Sequence, residues 1–176
     1  MEDEEIRDRM SRANIKPIYL SRTLVSLGTH GEELRKYLMS PEYLADRKSG
    51  MGTFIHGKGD RVFALPVLAK EMVLRSDGVR VQSMRELVNL LNAQHEYLTK
   101  LERVPALCIS NFQQDGIECP YSYSERSYVE QFLSDRLEQG RRLYLSSCKR
   151  LQENVWWSAE FRDLLKPYVR EFSFGR

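Results

Sequence analysis

Glycines and charges crowd one short stretch of the chain, Gly57-Lys58-Gly59-Asp60-Arg61. Between a strand and a helix, such a run can hold an anion, because the first amides of a helix point outward and carry partial positive charge. Asp60 opposes phosphate there, and the competing reading is a simple turn with a solvated charge cluster. A second group is basic: Arg126, Arg136, Arg141, Arg142, Lys149 and Arg150, with Tyr121, Tyr123 and Tyr128 nearby. Arginines beside aromatic rings can follow a phosphate backbone and stack the bases of a single strand. The competing reading is a solvated helix face with half-buried tyrosines. Lys48, Lys58 and Arg61 make a further cationic spot.

Hydrolytic chemistry has less to work with. His30, His56 and His95 are scattered, without partners at ligand or triad spacing, so neither a metal nor a cofactor is expected. Cys108, Cys119 and Cys148 are an odd count at no zinc-like spacing, and Cys108 lies in an apolar run that reads as a buried, inert thiol. Net charge is +2, too small to imply nucleic acid by itself. With 41% hydrophobic and 30% charged residues over 176 positions, the composition is that of one globular domain. No apolar run reaches the length of a membrane span, and Met1-Glu2-Asp3-Glu4-Glu5 is the reverse of a basic signal-peptide start, so a cytosolic protein without membrane contact is expected.

The elements that would position these groups follow from periodicity. Residues 1–12 read as a disordered acidic tail, and 13–50 as short helices leading in, broken by Gly28 and Pro41. Thr53-Phe54-Ile55-His56 is the first strand, followed by a helix from Val62 to Arg75 in which Pro66 fits only near the start. Val79 to Ser83 alternates as a strand, and Leu87, Leu90, Leu91, Leu98 and Leu101 mark one second helix. Ala106 to Ile109 is a wholly apolar central strand. Ser124 is the expected N-cap of a third helix that stops at Gly140, and Leu143-Tyr144-Leu145 is a buried strand. A last helix runs from about Leu151 to Leu165, and Val169 to Phe174 closes as a strand. Adjacent tryptophans on one helix cannot both face inward, so one of Trp156-Trp157 is expected against a neighbouring element or partner. Regular alternation of strand and helix predicts an α/β fold, a mainly parallel five-stranded sheet flanked by helices, over 51–176. Ligands of such sheets sit at the carboxyl ends of the strands.

In order and spacing these landmarks resemble the AAA+ core of bacterial replicative-helicase loaders and of transposition helper ATPases. The likeness runs through Ala13-Asn14-Ile15-Lys16-Pro17-Ile18-Tyr19-Leu20, Gly52 to Gly57, Leu68-Ala69-Lys70-Glu71, Val79-Arg80-Val81 with Glu86-Leu87, Glu130 to Ser147, and Phe172 to Arg176. It implies a P-loop-type core, here without a lid domain. A working phosphate loop reads G-x-x-x-x-G-K-[ST], since amides cradle the phosphates, the lysine reaches the β and γ groups and the hydroxyl holds magnesium. Counted from Gly57, the last three positions are Val62, Phe63 and Ala64, and none of the required residues is present. An acidic pair should end the central strand, and Ser110-Asn111 stand there instead. Asp115 and Glu118 are the nearest acids. Ser146-Ser147 occupy the place where the family senses the γ-phosphate, without its usual asparagine, and Arg162 is the candidate arginine finger.

The expectation is a pseudo-ATPase: a non-catalytic, helicase-loader-like accessory of DNA replication that binds single-stranded DNA, a replicative helicase or an initiator. The alternative is a protein-binding adaptor or inhibitor that keeps a dead ATPase fold as a scaffold. The residues ahead of Thr53 are too few for the separate helicase-gripping domain of full loaders.

Overall fold

A computed structural model describes residues 3–59, 61–75 and 78–174. Asp60, the side chain of Arg61, and Gly175-Arg176 of the closing segment lie outside the described residues. Five strands, β1 (Gly52–Gly57), β2 (Val79–Ser83), β3 (Ala106–Ser110), β4 (Arg142–Ser147) and β5 (Val169–Phe174), form one parallel sheet in the order β2-β3-β4-β1-β5.

Side chains of the inner strands alternate between two apolar layers, as the two-residue period of a strand requires. Ile55, Cys108 and Tyr144 face one layer with α4 (Arg61–Leu74), whereas Phe54, Leu107, Leu143 and Leu145 face the other with α7 (Tyr123–Glu138) and α8 (Ala159–Leu165). Burial pushes the Cys108 thiol up to about 12, as suits an inert core cysteine. Pro66 is the sixth residue of α4, so the only backbone bond it forfeits is the one to the Val62 carbonyl. No helix among the described residues is long and apolar enough to cross a membrane.

Four expectations need correction. Residues 3–12 are not a tail but α1 (Asp3–Arg12), anchored by the buried Met10 and followed by Ala13, whose carbonyl accepts from Val81 N at 2.9 Å. The single helix expected through Leu101 is two, α5 (Met84–Asn92) and α6 (Tyr97–Arg103). Gln94 adopts a left-handed backbone (φ 48) and closes α5 through Gln94 N to Leu91 O and His95 N to Leu90 O, a Schellman-type end on a residue other than glycine. The N-cap of α7 is Ser122 and not Ser124. Its hydroxyl accepts from Glu125 N while the Glu125 carboxylate accepts from Ser122 N, a reciprocal capping box. The last helix is only α8. A single 3-10 turn at Leu151–Glu153 precedes it, and the chain then runs non-helically to the cap at Ser158.

That non-helical run lets Trp156 and Trp157 both be buried, because successive side chains no longer share one helical face. Trp157 Nε1 donates to Phe112 O at 2.8 Å and Trp156 Nε1 to Ile117 O at 3.3 Å. The two helices of the lead-in, α2 (Gly28–Leu38) and α3 (Pro41–Lys48), are tied to β5 by Asp46, which accepts from Tyr37 OH at 2.8 Å and Arg170 Nε at 2.9 Å.

Candidate functional site

β1 and β4 are hydrogen-bonded neighbours whose chains leave for opposite faces of the sheet, toward α4 and toward α8. A crevice opens at such a switch point. Gly57 ends β1 at φ 123, and a Cβ built there would lie 2.0 Å from Phe174 O. Only glycine fits both the conformation and the space. Lys58 N donates to Phe174 O at 2.9 Å, so the turn into α4 is pinned to β5. Gly57→Ala is expected to cost roughly 2 kcal/mol or more and to lower the melting temperature by about 4–8 °C, as differential scanning calorimetry would read.

The start of α4 packs against the lead-in. Val62 is half exposed, Ala64 is fully buried, and Phe63 lies beneath the Arg22 guanidinium, 4.1 Å from its ring centroid. A cation–π contact from the lead-in therefore covers Phe63, where the resemblance would place a lysine. The buried Lys70 holds that segment in place by donating to the carbonyls of Leu20 and Arg22. At the end of β3, Asn111 takes a left-handed turn (φ 60), and Phe112 N donates to Ser146 O at 2.8 Å. Asp115 and Glu118 are exposed on the following loop.

A cavity of about 270 Å³ lies beside these strand ends, lined by Lys16, Gln82, Glu86, Ser110, Asn111 and Ser146 among others. Glu86 is its only carboxylate among the described residues, and it caps α5 by accepting from Ser83 N at 2.7 Å. Next to it, the buried Ser147 Oγ accepts from Asn154 Nδ2 at 2.8 Å, so an asparagine reaches the strand end from the 3-10 turn. Burial lowers the His56 imidazole below its ordinary range, opposed by Glu171, whose Oε2 is 3.5 Å from Nε2.

The six basic residues do not form one surface. Arg136 is 1% exposed and donates to the carbonyls of Leu101, Glu102 and Val104, closing the end of α6. Burial, with Arg141 next in effect, lowers its guanidinium to about 10, so it stays charged at neutral pH. Arg142 is buried against Tyr144 and donates to its hydroxyl at 3.0 Å. Arg126 donates to Trp156 O at 3.1 Å. Arg136 and Arg142 are buried in the fold, which corrects their assignment to a nucleic-acid surface, whereas Arg126 is half-buried. Arg141 stands at the amino end of β4, and Lys149 and Arg150 lie beyond its carboxyl end, a strand length or about 20 Å apart. Arg162 donates to its own backbone neighbourhood, Gln152 O and Ser158 O.

One grouping escaped sequence reasoning. Because His56 pairs with Ser147, Lys58, just beyond β1, and Lys149 with Arg150, just beyond β4, follow adjacent strand ends. All three are exposed. Lys58 of the glycine-rich stretch and the last two residues of the basic group, read separately along the chain, thus lie at the same carboxyl edge.

No protein-family model matches the chain, and no curated protein sequence does. Solved structures do. A crystal structure of DnaI matches at a TM-score of 0.70 and 15% identity, over 90% of each chain. The DnaC helicase loader matches at 0.66 and 10% identity, over 90% of this chain and 99% of that one. AMPPCP-bound DnaA from Aquifex aeolicus matches at 0.64 and 14% identity, and this chain spans about half its length, 51%. The likeness is one of fold: the chain has the fold of the DnaI, DnaC and DnaA structures.

Proposed function

We propose that the chain is a helicase-loader-like accessory of DNA replication that works without ATP turnover and binds single-stranded DNA at the carboxyl edge of its sheet. The observation that supports this reading is side-chain packing at the positions where phosphate chemistry is expected. Where the fold's catalytic members need a lysine and a magnesium ligand, Phe63 and Ala64 stand, with Arg22 over the ring. Where an acid must polarise water, the strand ends in Ser110-Asn111. Losses at two sites of one mechanism agree. What the edge retains is exposed positive charge at Lys58, Lys149 and Arg150, suited to a phosphate backbone. The similarity to DnaC and DnaA directs attention to a replicative helicase or an initiator as protein partner.

Fluorescence anisotropy of a labelled single-stranded oligonucleotide, at low and moderate salt, with and without magnesium and ATP, tests this. Binding is expected to weaken with salt and to ignore ATP. Replacing Lys58, Lys149 and Arg150 by alanine should lower affinity roughly tenfold at low salt and flatten the logarithmic salt slope by about 2, as expected for three lost phosphate contacts. Arg141→Ala, at the opposite edge, should change nothing. Unaltered affinity in the triple variant would reject this surface, and phosphate release by the wild-type protein would reject the non-catalytic reading. No DNA binding at any salt would leave the adaptor as the function.

A further inference from the structure

A groove of about 580 Å³ lies on the far side of the molecule's α5–α6 corner, between that corner and α7. Leu91 and Leu98 are half-buried in it and Phe132 is almost fully buried, while Tyr128, 59% exposed, stands at its margin. The walls are preformed. One is the Schellman-type turn at Gln94, continued by Tyr97 N donating to His95 Nδ1 at 3.0 Å. The other is the regular helix α7, where Gln131 Nε2 holds Asp135 Oδ1 at 2.6 Å. Nothing in the fold has to unfold to open it.

Charge decides what fits. The chain as a whole carries +2, yet the lining includes Glu96 on one bank, Asp135 on the other, and no lysine or arginine among the described residues. Such a surface repels nucleic acid and attracts cations. We infer that the groove docks a basic amphipathic helix of a protein partner, with apolar side chains at i and i+3 or i+4 against Leu91, Leu98 and Phe132 and with Lys or Arg beside Glu96 and Asp135. This surface is separate from the cationic edge and does not depend on DNA binding there.

The probe is a displayed library of 16-residue helical peptides, randomised at apolar and charged positions and selected on the full chain. Enriched peptides are expected to carry net positive charge with apolar pairs at helical spacing. Their affinity should fall at least tenfold for the double variant Glu96→Lys, Asp135→Lys, and also for Tyr128→Ala. Peptides re-selected on the charge-reversed variant should turn acidic, which a merely sticky surface would not produce. Both charge changes are at exposed positions, so the variant is expected to melt with the wild type. Enrichment of neutral or acidic peptides, insensitivity to the charge reversal, or no enrichment overturns the inference. DNA binding by the double variant should be unchanged, which separates failure here from failure of the proposed function.

Discussion

Replacing Arg136 by methionine is expected to cost roughly 3 kcal/mol of folding stability and to leave DNA affinity unchanged wherever the variant remains folded. Methionine fills much of the same volume, so the effect isolates the lost hydrogen bonds. Three carbonyls at the end of α6, those of Leu101, Glu102 and Val104, lose their donor in a region closed to water. The helix terminus also loses a favourable charge at its negative end. The guanidinium's own Nε is buried without a partner, and removing it offsets a small part of the loss. Thermal unfolding followed by circular dichroism should show a midpoint lower by about 6–12 °C. A variant that kept its midpoint and lost DNA affinity would return Arg136 to the nucleic-acid surface.

Trp157→Ala is expected to be at least as damaging, at about 3–5 kcal/mol. The indole is 2% exposed and stacks on Phe112 with ring centroids 4.9 Å apart. Tyr121 and Phe161 close the cluster at 6.3 and 6.5 Å. Alanine leaves a cavity among rigid rings and strands the Phe112 carbonyl, which now accepts from Nε1. Phe112 N in turn bonds to Ser146 O beside the candidate site, so the loosened cluster should also disorder the turn at Asn111. Trp157→Phe keeps a ring and loses the donor, and should cost about 1–2 kcal/mol. Urea denaturation of the three proteins would order them wild type, Phe, Ala; equal stability of the Phe and Ala variants would mean that the ring packing contributes nothing.

Much of the scaffold is readable along the chain. The strand from Val79 to Ser83 follows from its alternation, and Ala106 to Ile109 is apolar because both faces of a central strand are covered. Other features carried a signal that lay in the sequence. Ser122 and Glu125 have the S-x-x-E spacing of a capping box, which distinguishes Ser122 from Ser124 as the cap. Arg136 falls seven residues after Val129 and three after Leu133, inside the apolar stripe of α7, so its burial follows from the same periodicity that located the helix. Arg142 lies two residues from Tyr144 and therefore on the same face of β4. The break between α5 and α6 had no such marker, since Gln94 enters a left-handed conformation that sequence assigns to glycine or asparagine.

Identity and order of residues thus sufficed for the alternation of strands and helices, and for the residues that stand at Val62, Phe63, Ala64 and Ser110-Asn111, where the resemblance expects ATP chemistry. Which cations share a surface was beyond their reach. Lys58 and Lys149 are some ninety positions apart in the chain and become neighbours only because β1 inserts between β4 and β5 in parallel register. Arg141 and Lys149, close in sequence, are held at opposite ends of a rigid strand. Hydrogen-bond registry between strands is a non-local property, and it is that registry which assembles the edge.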